Sequence, residues 1–168
     1  MTPRTLIAGI GNIFLADDGF GVEVARQLAG RAWPKGVQVR DFGIRGMDLV
    51  YALLEDHDAV IFVDTVPLQG RPGTLRLIEP TLPEDGVVTL DTHGMDPVKV
   101  LGLARAMGAQ PARIFVVGCE PERIIDPDQQ PDVVVELSEA VQQAIPHAIE
   151  MVEELVAEIY RPVQIGRR

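Results

Sequence analysis

Four side chains able to bind a cation stand after strand-like runs or in a loop before a helix: Asp18, Asp41, Asp64 and His93. The most telling of these positions lies in Gly9-Ile10-Gly11-Asn12-Ile13-Phe14-Leu15-Ala16-Asp17-Asp18-Gly19-Phe20-Gly21, which follows Leu6-Ile7-Ala8. The pattern leaves a buried strand and enters a helix, the turn that carries ligands in doubly wound α/β proteins. A nucleotide site would place glycines and free helix N–H groups there for phosphate. Here two carboxylates occupy the helix entrance, so phosphate is repelled and a cation is favoured. The dinucleotide fingerprint needs glycine where Phe14 stands, and no Lys follows these glycines as in a P-loop. Asp17 also reads as a helix N-cap, with Asp18 complementing the helix dipole.

Right-handed βαβ crossovers bring the carboxyl ends of parallel strands to one edge of a sheet. Asp18 follows the first strand, Asp41 ends the second, Asp64 ends the third, and His93 sits in the loop feeding the third helix. All four are expected at one crevice. Two carboxylates and an imidazole suit nickel, zinc, manganese or iron, with positions left for substrate. Each residue also has a structural reading: Asp41 as a turn cap before Gly43, Asp64 as a brace for Thr65, His93 as a loop packing residue. His57 and His147 are read as non-functional. No HExxH and no Ser/His/Asp or Cys/His/Asn arrangement is evident.

The elements that must position these groups follow from hydrophobic periodicity. Strands are expected at Thr5 to Ile10, Gly36 to Phe42, Ala59 to Val63, Gly73 to Ile78 and Arg113 to Gly118. Helices are expected from about Asp18 to Arg31, from near Gly46, from Pro97 capped by Asp96 up to Gly108, and from Ser138 to Tyr160. The second helix should bury Met47, Val50, Tyr51 and Leu54. Pro146 should kink or split the last, because proline cannot donate to the preceding turn. Glu120 to Asp132 reads as a long surface loop. The alternation of strands and helices implies a single-domain three-layer αβα fold over 1–160, with a mostly parallel twisted sheet of about five strands. Residues 161–168 are expected to form a flexible tail.

The chain has 168 residues, 46% of them hydrophobic, a formal net charge of −10 and a pI near 4.7. That size suits one domain, and the acidity argues against nucleic acid as a partner. The lone Cys119 fits a reducing compartment and reads as a buried structural thiol after Ile114-Phe115-Val116-Val117. No signal peptide and no membrane-spanning apolar run is recognised. A cytoplasmic, monomeric protein is expected, with no membrane partner.

Taken in order, GIGNIFLADDGFG, DFGIRGMDL, AVIFVDTV, a His before a helix and IFVVGCEP resemble the hydrogenase maturation endopeptidases over roughly residues 5 to 160. The resemblance implies a protease that removes a C-terminal extension from the large-subunit precursor of a [NiFe] hydrogenase after nickel insertion. It implies Asp18, Asp64 and His93 as ligands to Ni2+ supplied by that substrate, and a processing role for Asp41. Around Asp41 the pattern departs from many members, at Phe42-Gly43-Ile44, which leaves open the hydrogenase served. Gly11, Asn12, Asp17, Gly43 and Arg45 are the expected substrate contacts.

On this reading nickel polarises the scissile carbonyl or activates a bound water, with Asp17 or Asp41 as general base. The alternatives are a nickel-sensing chaperone that binds without cutting, a nucleotide-binding module, and a germination-type peptidase with a different substrate.

Overall fold

The computed structural model describes residues 2–80, 96–129 and 132–162. In chain order the elements are β1 (Thr5–Ile10), a 3-10 turn (Ala16–Gly19), α1 (Phe20–Ala29), β2 (Val37–Gly43), α2 (Gly46–Leu54) and β3 (Ala59–Thr65). β4 (Leu75–Ile78), α3 (Pro97–Ala106), β5 (Arg113–Cys119) and α4 (Glu139–Ile159) follow. The sheet order is β2-β1-β3-β5-β4. β2, β1, β3 and β5 run parallel, and β4 closes the edge antiparallel to β5. This is the mostly parallel five-stranded α/β fold that the alternation of elements implied.

β1 and β3 read as unbroken apolar runs because helices cover both of their faces. Alternate residues of each strand enter different cores. Ile7, Ile61 and Val63 pack under α1 and α4, whereas Leu6, Ala8, Val60 and Phe62 pack under α2 and α3. Ser138 precedes α4, and the Asp96 carboxylate caps α3 by accepting from the Val98 N–H at 2.9 Å. The proline at the start of α3 loses nothing there, since a first-turn N–H has no helical acceptor.

Two local expectations change. α2 buries Leu49, Val50, Ala52 and Leu53, while Met47 and Tyr51 are 50% and 59% exposed. The helix sequence Gly46-Met47-Asp48-Leu49-Val50-Tyr51-Ala52-Leu53-Leu54 carries two apolar stripes at helical spacing, so periodicity alone cannot choose between them. α4 stays a single helix with Pro146 inside it. Pro146 and Gln142 both lie on the solvent face, where water can serve the carbonyl that proline leaves without a donor. The tail expected to be flexible falls, from residue 163 on, outside the described residues. Among the described residues no helix is long and apolar enough to cross a membrane.

Candidate functional site

From β1 the chain crosses to β2 on one side and returns through α2 to β3 on the other, so the switch point lies between β1 and β3. Ligands bind at such points, outside the carboxyl ends of the strands. Here β1 runs into Gly11 and Asn12, and β3 ends in Asp64 and Thr65. Gly21 lets α1 approach both strands, since a Cβ there would lie 2.1 Å from the Val63 carbonyl oxygen and 2.4 Å from that of Ile10. Gly11 has φ +141°, and a Cβ on it would fall 1.8 Å from the Asp18 carbonyl oxygen. A side chain at either place would push the acidic turn off the sheet.

That turn delivers Asp18 to the switch point. Its carboxylate accepts from the Asn12 N–H at 2.7 Å and from the Thr65 hydroxyl at 3.3 Å. Asp64 is two residues beyond Phe62, so strand alternation aims it to the same side, towards α2 and α3. It is 7% exposed, and one of its oxygens accepts the Thr65 N–H at 2.8 Å. Burial raises the Asp64 pKa well above the usual carboxylate value, and the charges of Asp18 and then Asp96 add to the effect against the Thr65 N–H. Asp18 is raised too, mainly by burial, with the Asn12 and Thr65 hydrogen bonds opposing it. Two desolvated carboxyls that repel one another are stabilised by a bound cation.

Asp17 faces the other way. It is fully buried, and its oxygens accept from the Glu122 N–H (2.9 Å), the Arg123 N–H (2.7 Å), the Ser138 N–H (2.7 Å) and the Ser138 hydroxyl (2.9 Å). The expectation of Asp17 as a substrate contact or general base is therefore corrected: four donors occupy it and no solvent reaches it. It is not a helix cap either, for none of its partners belongs to the turn or to α1.

Asp41 sits at the same sheet edge but on the α1 side. It accepts the Gly43 N–H at 2.9 Å and lies 4.0 Å from the Arg26 guanidinium. The single crevice expected for all four ligating residues thus holds Asp18 and Asp64 but not Asp41. The cause is strand alternation, which sends Phe42 into the α2 core and Asp41 to the opposite face. Gly43 has φ +53°, and its carbonyl accepts the Gly11 N–H at 3.0 Å, tying the turn after β2 to the acidic turn. Arg45 folds back on its own turn, donating to the carbonyls of Asp41 and Phe42, and lies 3.6 Å from Asp48. His93 lies outside the described residues, and among those residues no group of three metal-ligating side chains occurs.

Asp18 and Asp64 open into a cavity of about 1140 Å³ whose described walls come from the first loop, α2, the loop after β3, α3 and residues 121–128. Its rim is apolar and exposed at Ile44, Met47, Val98 and Ile124. Sequence reasoning missed three parts of this site. From sequence, Thr65 reads only as a residue braced by Asp64, although a hydroxyl directly after a strand-terminal aspartate is a readable signal. The loop at 120–128 reads from sequence as mere surface, and Met47 as core. Cys119 is buried as expected, its thiol pushed up to about 12 by burial and the nearby Asp17 and Glu120 charges.

Known proteins share this fold. The family model for HycI, hydrogenase maturation protease, matches residues 22–155. Hydrogenase expression/formation protein HupD of Rhodobacter capsulatus is 32% identical over 151 residues, covering 84% of this chain and 70% of that one. The crystal structure of a hydrogenase 2 maturation peptidase from a Thaumarchaeota archaeon has a TM-score of 0.69 at 33% identity, covering 92% of this chain and 98% of that one. Hydrogenase maturating endopeptidase HybD of E. coli gives 0.70 at 28% identity and 93% of both chains. With Asp18 and Asp64 paired at the switch point of this fold, the chain belongs to the hydrogenase maturation protease family.

Proposed function

We propose that the protein is the endopeptidase that removes the C-terminal extension of a [NiFe] hydrogenase large-subunit precursor, and that it recognises nickel already bound in that precursor. The observation that carries this reading is the Asp18–Asp64 pair, with Asp64 buried beside the Asp18 charge, Asp18 half-buried, and both open to a large cleft. Such a pair is costly when empty, and a divalent cation offsets that cost. His93, in the segment between β4 and α3, is the third proposed ligand. An oxygen-rich set lacking thiolates, on an otherwise acidic chain, suits transient sharing of a metal better than its permanent capture.

The geometry supports the following roles. Asp18 and Asp64 engage the precursor's metal, and Thr65 holds both carboxylates in place. Nickel supplies Lewis acidity towards the scissile carbonyl. The apolar rim at Ile44, Met47, Val98 and Ile124 receives the extension as an extended segment and excludes water around it. Asp41, on the other side of β2, supports the turn at Gly43 that is bonded to Gly11.

Intact-mass spectrometry of a nickel-loaded precursor incubated with the protein tests this. Loss of one discrete C-terminal peptide with wild type, but not with Asp18→Ala or His93→Ala, is the expected result. A cognate nickel-loaded precursor whose mass stays unchanged sinks the protease reading and favours a chaperone that binds without cutting. Cleavage of nickel-free precursor at the same rate sinks the nickel-recognition part alone.

A further inference from the structure

Asp17 and Asp18 are consecutive in one short turn, yet they belong to different neighbourhoods. Asp18 faces the cleft, and Asp17 is buried behind it with four donors on its two oxygens. Those donors come from two places distant in sequence. Glu122 and Arg123 begin the segment that forms one wall of the cleft, and Ser138 precedes α4. A backbone link lies on that side as well: the Ala16 N–H donates to the Val134 carbonyl at 2.7 Å, and the Val134 N–H to the Phe14 carbonyl at 3.0 Å.

We infer that Asp17 is a positioning residue for the reaction: its carboxylate fixes the turn against the wall segment and α4, and so sets where Asp18 stands relative to Asp64. The inference rests on the proposed role of Asp18 in engaging the precursor's metal. The physical argument is one of leverage. A 3-10 turn of four residues, Ala16–Gly19, has few hydrogen bonds of its own and begins at Ala16, which holds φ +51°. A non-glycine residue in that region persists only where its surroundings over-determine it. Asp17 supplies much of that determination. Among the described residues, the Asn12 N–H and a longer contact with Thr65 hold Asp18 on the cleft side. Loss of the buried anchor leaves three backbone N–H groups without an acceptor and frees the turn to slide along the sheet edge.

Hydrogen exchange and precursor cleavage together test this with Asp17→Asn and the milder Ser138→Ala, which removes only the hydroxyl donor. The Asn12 amide is the reporter, because its acceptor is the Asp18 carboxylate itself. The expected result is faster exchange at Glu122, Arg123 and Ser138 in Asp17→Asn, accompanied by about tenfold faster exchange at Asn12, with β1 and β3 amides unchanged. Ser138→Ala shows the same pattern at smaller amplitude and carries the test if Asp17→Asn does not fold. Faster exchange confined to residues 122, 123 and 138, with Asn12 as in wild type, overturns the inference. In cleavage assays corrected for folded protein, kcat falls by about tenfold, the size expected of an outer-layer support, and by more than KM rises. A raised KM with unchanged kcat also overturns it. Failure of wild type to cleave would count against the protease reading only, since the Asn12 exchange still decides the role of Asp17.

Discussion

The Thr65 hydroxyl donates to the Asp18 carboxylate across the gap between the ends of β1 and β3, at 3.3 Å, while the Thr65 N–H binds the neighbouring Asp64 carboxylate at 2.8 Å. One residue thus touches both members of the proposed metal-engaging pair. It can do so because the β1–β3 ladder ends at Gly9 and Val63, whereas Asp64 and Thr65 continue in parallel register with β5.

Thr65→Val keeps the shape of that residue and its N–H but loses the hydroxyl. Among the described residues Asp18 then keeps the Asn12 N–H as its side-chain partner and can swing towards water. Cleavage of the nickel-loaded precursor is expected to fall by about 10-fold or more, as for other outer-layer supports of metal ligands. The cost in stability should be only about 1 kcal/mol. Thr65→Ser should restore most of the activity. A Val variant with wild-type kcat would show that the hydroxyl has no part in placing Asp18.

Asp64→Asn should abolish processing and yet stabilise the isolated protein. Burial and the Asp18 and Asp96 charges raise the folded-state pKa of Asp64. A carboxyl with a raised folded pKa contributes stability that is fully present below its unfolded pKa and is lost as pH rises through the folded value. At neutral pH its ionisation is therefore a burden on the metal-free fold, and the amide removes it. Thermal melts at about pH 7 should show a gain on the order of 1 kcal/mol, roughly 3 °C for a chain of this size. The gain should shrink near pH 4, where the wild-type carboxyl is neutral. Lower stability of the Asn variant at neutral pH would contradict the assigned electrostatics.

How much of this was legible in the sequence depends on which physical rule each residue obeys. β1, β3 and β5 were readable because strands buried on both faces must be apolar throughout, and the parallel alternation then fixed the sheet edge that carries Asp18 and Asp64. Asp41 was placed on the right edge but not on the right face. That choice follows from one-residue alternation, which the Gly43 turn obscures. Asp17 and Asp18 look alike in sequence; their opposite roles arise from contacts more than 100 residues away, at Glu122, Arg123 and Ser138. Met47 was misassigned because α2 offers two apolar faces and only its docking against α3 selects one. The exposed one continues the cleft rim.

His57 gives the fold an acid-sensitive point far from the cleft. Its Nε2 lies 2.9 Å from the Ala52 carbonyl, and Nδ1 is buried with no hydrogen-bond partner among the described residues. Burial lowers its pKa, the Ala52 carbonyl and Glu55 oppose that shift, and the Arg4 and Arg40 charges reinforce it. A histidine with a lowered folded pKa contributes stability that is present above its unfolded value, near 6.5, and is lost as pH falls towards the folded value. Urea midpoints should therefore drop between about pH 7.5 and about pH 5.5. In His57→Leu that drop should be smaller, whatever the change in absolute stability. An equal drop in both proteins would place the acid sensitivity elsewhere.

Gly11→Ala tests whether the acidic turn is built on backbone proximity. At φ +141° an alanine is strained even without neighbours, and its Cβ would meet the Asp18 carbonyl oxygen at 1.8 Å. Neither atom belongs to a flexible side chain, so the turn itself must move. That movement strains two hydrogen bonds, Gly11 N–H to the Gly43 carbonyl at 3.0 Å and Asn12 N–H to Asp18 at 2.7 Å. A loss of about 3 kcal/mol or more is expected, at the upper end of single-residue backbone strain. Processing should be lost even at temperatures where the variant remains folded. Gly30→Ala is the matched control: Gly30 has φ −80°, and the nearest atom to an added Cβ lies 3.7 Å away, so its stability should stay within about 0.5 kcal/mol of wild type. If both alanines are tolerated alike, close packing of Asp18 over the end of β1 is not what holds the site together.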